Sequence, residues 1–126
     1  EEGLFQEAFR KRAICHKAIA GLQYLRTLTY KGTFTEVVDT LPAVEWPYLD
    51  WAQRAGEADR KPSDRCYQTW IDIHPSPGMS RFVSWLRSVV DESAPTAAQQ
   101  DQLLGIFRDV ICYEYQCFEM AYRGES

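Results

Sequence analysis

A chain of 126 residues with 45% hydrophobic content can enclose one core and falls short of two ordinary domains, so a single domain over residues 1–126 is expected. Its formal net charge of -4 comes without a Lys/Arg run or basic stripe, which argues against nucleic acid as a partner. No apolar run reaches bilayer length and no charged-then-apolar signal opens the chain, so no membrane association is expected.

Residues 1–31 read as helix, with Leu4, Phe5, Ala8 and Phe9 giving way to Cys15, Ile19, Leu22, Leu25 and Leu28 on a continuing stripe bent near residues 13–16. Gly32 ends it, as glycine commonly does. Thr33 with Glu36 is a capping box that starts a second helix carrying Val38, Leu41, Glu45, Tyr48 and Ala52 on one face. Pro42 and Pro47 each remove a donor and crowd the preceding turn, which predicts a kink between Leu41 and Tyr48, or a helix broken in two. Residues 56–62 are a charged loop, and Ser63 is expected to cap a short helix to about His74 with Tyr67, Trp70, Ile71 and His74 inward. Residues 74–78 read as a tight turn. Met79, Phe82, Val83, Leu86, Val89 and Val90 then form an amphipathic helix opposite Arg81, Arg87 and Asp91. Thr96 with Gln99 is a second capping box opening a long final helix. The fold class is all-α, a helical bundle of about five helices joined by short loops.

In the final helix Leu103, Phe107, Val110, Cys117, Phe118 and Ala121 recur at helical spacing; Glu114 falls on that face and Glu119 off it. An ionised carboxylate in a dry seam is costly unless paired, hydrogen-bonded or shifted in pKa, and acids of the last kind cluster at functional sites. A structural Glu that reaches an Arg or a helix N-terminus is the plain alternative. Glu45 is a second acid in an apolar seam, and Trp46, Tyr48, Tyr67, Trp70 and Tyr113 are candidate walls around the pair. Two carboxylates in an aromatic cavity can hold protons with different affinity, one as acid and one as base, which suits hydrolysis of a flat, nitrogen-rich ring. A polar cluster that fixes helix register is the alternative. His74 faces inward, where a lone His is more often a satisfied core residue than a catalyst. Cys15, Cys66, Cys112 and Cys117 include no C-x-x-C pair, and reduced, buried thiols in a cytoplasmic protein account for them. Gly-rich phosphate loops, G-x-S-x-G and H-E-x-x-H are absent, and neither His16 nor His74 has a Glu three residues earlier, so no metal is expected.

The run Y-E-Y-Q-C-F-E-M-A-Y at residues 113–122 resembles Y-E-Y-x-F-W-x-M-A-Y in the last core helix of the TenA/thiaminase II family, a branch of the heme-oxygenase-like all-α fold. Gly32-Thr33-Phe34 leading to Val44-Glu45-Trp46-Pro47-Tyr48 is similar to that family's G-x-F turn and L-P-C-x-W-x-Y helix, and Tyr67-Gln68-Thr69-Trp70-Ile71 looks like its Y-x-x-W-I motif. Three motifs in order span most of the chain. The resemblance implies a cofactor-free aminopyrimidine aminohydrolase of thiamin salvage, which hydrolyses the C–N bond of aminomethylpyrimidine or its formyl derivative to give hydroxymethylpyrimidine. It makes Glu114 the acid that contacts the ring and shuttles a proton, and Tyr48 a ring-packing or hydrogen-bonding wall. His74, standing where many members have Tyr, lines the pocket; Trp46 and Tyr113 complete the expected substrate-binding set.

Val44 occupies the position of the nucleophile in the Cys-containing branch, and the neighbouring Glu45 resembles the branch that uses Glu instead, where it would activate water or transfer a proton. The family's full domain has further N-terminal helices that bring an Asp to the pocket, so this chain is expected to begin about a third of the way in. Those helices are truncated, supplied by a companion chain, or lost. A homo-oligomer or a companion chain is therefore expected, and a non-catalytic binding or assembly subunit is the alternative function.

Overall fold

Four helices of this chain begin where a side chain satisfies the free N-terminal amides: Thr33, Asp64, Ser76 and Thr96 are the caps. The computed structural model describes residues 16–58, 61–94 and 96–124, which hold α1 (His16–Lys31), α2 (Phe34–Glu57), α3 (Arg65–Ile73), α4 (Pro77–Ser93) and α5 (Ala97–Arg123), with no strand among them. The stripe expected before Ile19 lies outside the described residues, as does the adjoining bend.

Gly32 closes α1 by donating its N–H to the Leu28 carbonyl at 2.7 Å, and a Cβ there would stand 2.6 Å from that oxygen, so only glycine allows the approach. At the head of α2 the Glu36 N–H donates to Thr33 Oγ1 at 3.3 Å while the Glu36 carboxylate accepts from the Thr33 N–H, completing the expected capping box. That backbone donor holds the Glu36 carboxyl below its usual range, and Gln102 of α5 donates to the same carboxylate. Thr96 and Gln99 form the second box at the head of α5, with the Gln99 N–H donating to Thr96 Oγ1 at 3.3 Å. Thr96→Ala is expected to cost about 1 kcal/mol, read as a lower urea midpoint at unchanged slope.

Two boundaries differ from expectation. Asp64, not Ser63, caps α3: its carboxylate accepts from the Cys66 N–H at 2.7 Å and the chain enters the helix at Arg65. Ser76 caps α4 by accepting from the Met79 N–H at 3.2 Å, so Pro77 and Gly78 belong to the first helical turn instead of the preceding bend.

α2 runs unbroken through Pro42 and Pro47, so the two-helix alternative is not realised. Packing supplies what the missing donors do not: α2 contacts each of the other four helices, and α5 packs on α1 as well. The contacts Glu36–Gln102 and Tyr48–Glu114 are both 66 residues apart in sequence, so α2 and α5 run parallel. Ala43 of α2, Ala94, and Leu103, Ile106 and Val110 of α5 form the core cluster, with Tyr24, Leu25 and Leu28 of α1 against it. Because α2 is covered from several sides, its buried residues are Val38, Asp39, Pro42, Ala43, Leu49 and Ala52, a broader set than one stripe. Leu41, expected inward, is exposed, and so are Tyr67 of the short α3 and Phe82 of α4. Cys66 and Cys112 are exposed instead of buried, since each falls on the outer side of its helix, whereas Cys117 is half-buried. Cys15 lies outside the described residues.

Candidate functional site

Three helices meet at Tyr48. Its ring lies 5.8 Å from Trp51, 5.9 Å from Trp70, 5.8 Å from His74 and 5.9 Å from Phe118, the last three edge-on, an arrangement aromatic quadrupoles favour. Trp51 and Tyr48 come from successive turns of α2, Trp70 and His74 from α3 and its end, and Phe118 from α5. The Tyr48 hydroxyl donates to Glu114 Oε2 at 2.6 Å. Burial raises the Tyr48 pKa well above its ordinary value, the hydrogen bond to Glu114 raises it further, and the charges of Glu114, Glu45 and Cys117 add to the effect. The phenol therefore remains a proton donor throughout the neutral range.

His74 stacks at a tilt on Trp70, with ring centroids 4.2 Å apart, and its Nδ1 lies 2.7 Å from the Trp70 carbonyl oxygen. A carbonyl only accepts, so Nδ1 is the donor in this contact.

Glu114 also borders a cavity of about 230 Å³ between α1 and α5, lined by Ala18, Gly21, Leu22, Leu25, Val110, Tyr113 and Cys117. Gly21 permits the close helix approach there: a Cβ on it would stand 3.3 Å from Tyr113 Cβ. Tyr24 holds the other end of the same interface, packing on Tyr113 at 5.2 Å and donating its hydroxyl to Asp109 at 3.0 Å. Burial first, and then Asp109, push the Tyr24 pKa up to about 12.

Of the residues singled out from sequence, Glu114, Tyr48 and His74 are joined through Tyr48, and Tyr113 shares the cavity with Glu114. Glu45 is half-buried one turn before Tyr48, near enough for its charge to reach that hydroxyl, but it borders neither cavity described here. Trp46 is placed elsewhere. Two residues before Tyr48 means about 200° around the helix, which carries it to the opposite side of α2. There it meets Phe107 at 6.4 Å, under the Arg87 guanidinium at 4.0 Å, in a groove between α2, α4 and α5. Sequence reasoning missed Trp51, whose signal was its place one turn after Tyr48, and buried Asp39, one turn before Pro42 and Ala43.

Removing the Tyr48 hydroxyl tests the link to Glu114. Tyr48→Phe keeps the ring and leaves a half-buried carboxylate without that donor, so a loss of about 1 kcal/mol in unfolding free energy is expected, measured by urea titration.

Among the described residues no group of three His, Cys, Asp or Glu side chains converges as a metal site, and no helix is long and apolar enough to cross a membrane. The arrangement offers a carboxylate held by a phenol donor, beside a cavity and a cluster of aromatic faces. Comparison with known proteins agrees with the all-α architecture: the model of the TENA/THI-4/PQQC family matches residues 3–124. No curated protein and no solved structure gives a match. With nearly its whole length matched, the chain belongs to the TENA/THI-4/PQQC family.

Proposed function

We propose that the chain is an aminopyrimidine aminohydrolase of thiamin salvage, converting aminomethylpyrimidine or its formyl derivative to hydroxymethylpyrimidine without a cofactor. The observation that carries this reading is the 2.6 Å hydrogen bond from Tyr48 to Glu114 at the edge of the α1–α5 cavity. A carboxylate so oriented can accept from the exocyclic amine of an aminopyrimidine and exchange a proton with the ring nitrogen beside it. The aromatic faces around Tyr48 supply stacking for a flat ring. In the hydrolysis water adds its oxygen to the methylene carbon, the C–N bond breaks, and the nitrogen takes a proton and leaves as ammonia, or as formamide from the formyl derivative. Glu45, acting at the neighbouring turn in place of a cysteine nucleophile, would take the proton from water.

Release of hydroxymethylpyrimidine and ammonia from aminomethylpyrimidine, with the formyl derivative and thiamin in parallel, tests the proposal. Turnover of the first two is expected, with Glu45→Gln slower by about 10²-fold or more. Unchanged turnover in that variant would remove Glu45 from the mechanism.

A second reading rests on a separate observation. Leu22, Tyr115, Phe118 and Tyr122 are all exposed on α1 and α5, and apolar surface of this kind supports assembly as a homo-oligomer or with a companion chain. If no pyrimidine is turned over or bound, a non-catalytic binding or assembly subunit is the better account.

A further inference from the structure

The groove between α2, α4 and α5 lies apart from the Glu114 cavity and encloses about 390 Å³, within the range of small-molecule sites. Its walls are mainly apolar, with the rings of Trp46 and Phe107 on one side. Asp39 lines it with only 3% of its surface exposed, and its Oδ2 has no hydrogen-bond partner among the described residues. A buried carboxylate oxygen without a donor is costly, and a ligand that brings donors removes the cost. The charged side chains around the groove are two acids, Asp39 and Asp91, against one base, Arg87. Trp46 already receives a cation, the Arg87 guanidinium, on its ring at 4.0 Å.

We propose that this groove is a second binding site, for a small aromatic cation bearing an amidinium or ammonium group, with Asp39 as the anion that anchors it and Trp46 and Phe107 as the rings that flank it. The shape and charge favour such a ligand over an anion, which would face two carboxylates, and over an uncharged ring, which would leave Asp39 Oδ2 without a donor. Burial pushes the Asp39 pKa up to about 6, so anchoring strengthens as pH rises through that value. The other titratable groups facing Asp39 are Arg87 and Asp91 of α4 and Tyr24 of α1.

Benzamidine is the probe, with benzamide as its uncharged counterpart, and binding is followed by calorimetry on the full chain. Wild type is expected to bind benzamidine, and more weakly below pH 6. Asp39→Asn should lose about tenfold or more in affinity, the worth of a buried charge-assisted pair, and Glu114→Gln should bind as wild type does. Leu104→Arg, at an exposed position on the rim, places a competing cation at the groove and should also weaken binding, which preserves the test if Asp39→Asn fails to fold. No binding to wild type, equal affinity for benzamide, undiminished affinity in both groove variants, or a loss confined to Glu114→Gln would overturn the assignment.

Discussion

Glu114→Gln is expected to lower aminopyrimidine turnover by about 10²- to 10⁴-fold while leaving the unfolding temperature close to wild type. The amide matches the carboxylate in shape, and its oxygen still accepts the hydrogen bond that Tyr48 donates at 2.6 Å in the native protein. What it lacks is the capacity to take up and return a proton. The fall should appear in kcat, because the amide no longer stabilises charge in the transition state. Tyr48 cannot substitute as a base near neutral pH, since burial and Glu114 together hold its proton far above that range. Steady-state kinetics on the purified variant decide the matter, and turnover within a few-fold of wild type would assign the proton transfer elsewhere.

Asp39→Asn is expected to stabilise the protein at pH 7.5 and to flatten the dependence of stability on pH between about 4 and 6. Asp39 is 3% exposed, and burial alone raises its pKa from 3.8 to about 6. Below both values the carboxyl is protonated in the folded and unfolded chains alike, so the folded state loses nothing. As pH rises through the window between 3.8 and about 6, the unfolded chain gives up its proton while the folded chain retains it, and stability falls. Above the folded value the loss is complete, on the order of 3 kcal/mol at about 1.4 kcal/mol per pH unit. Glu36 acts in the opposite sense, because its lowered pKa contributes stability that is lost as pH falls. The difference between wild-type and Asp39→Asn urea titrations from pH 3.5 to 8 cancels Glu36 and isolates Asp39. A difference that does not vary with pH would mean that the buried carboxyl is satisfied in solution.

Both capping boxes, the closure of α1 at Gly32 and, apart from exposed Phe82 and Phe118, the apolar periods of α4 and α5 were legible in the sequence, because each depends on atoms within a few residues of one another. The motifs carried the family, and the helical spacing of α5 turned Glu114 inward. The single stripe read along α2 was too narrow. A helix at the centre of a bundle is covered on several sides, and no one-dimensional period marks which small residues lie at close contacts, so Ala43 and Asp39 are buried while Leu41 is exposed. Trp46 and Tyr48 stand together in sequence as candidate walls, yet helix geometry sends Trp46 to the groove between α2, α4 and α5 and Tyr48 to Glu114. The hydrogen bond between Tyr48 and Glu114 joins residues 66 positions apart, and Trp70 and His74 reach Tyr48 from another helix. Sequence by itself determined where α2 and α5 start and which face of α5 holds the acid, since those follow from local bonding and periodicity. Only the tertiary structure decided which side chains meet, because the parallel pairing of α2 with α5 and the packing of α3 on α2 are set by long-range contacts that local spacing does not encode.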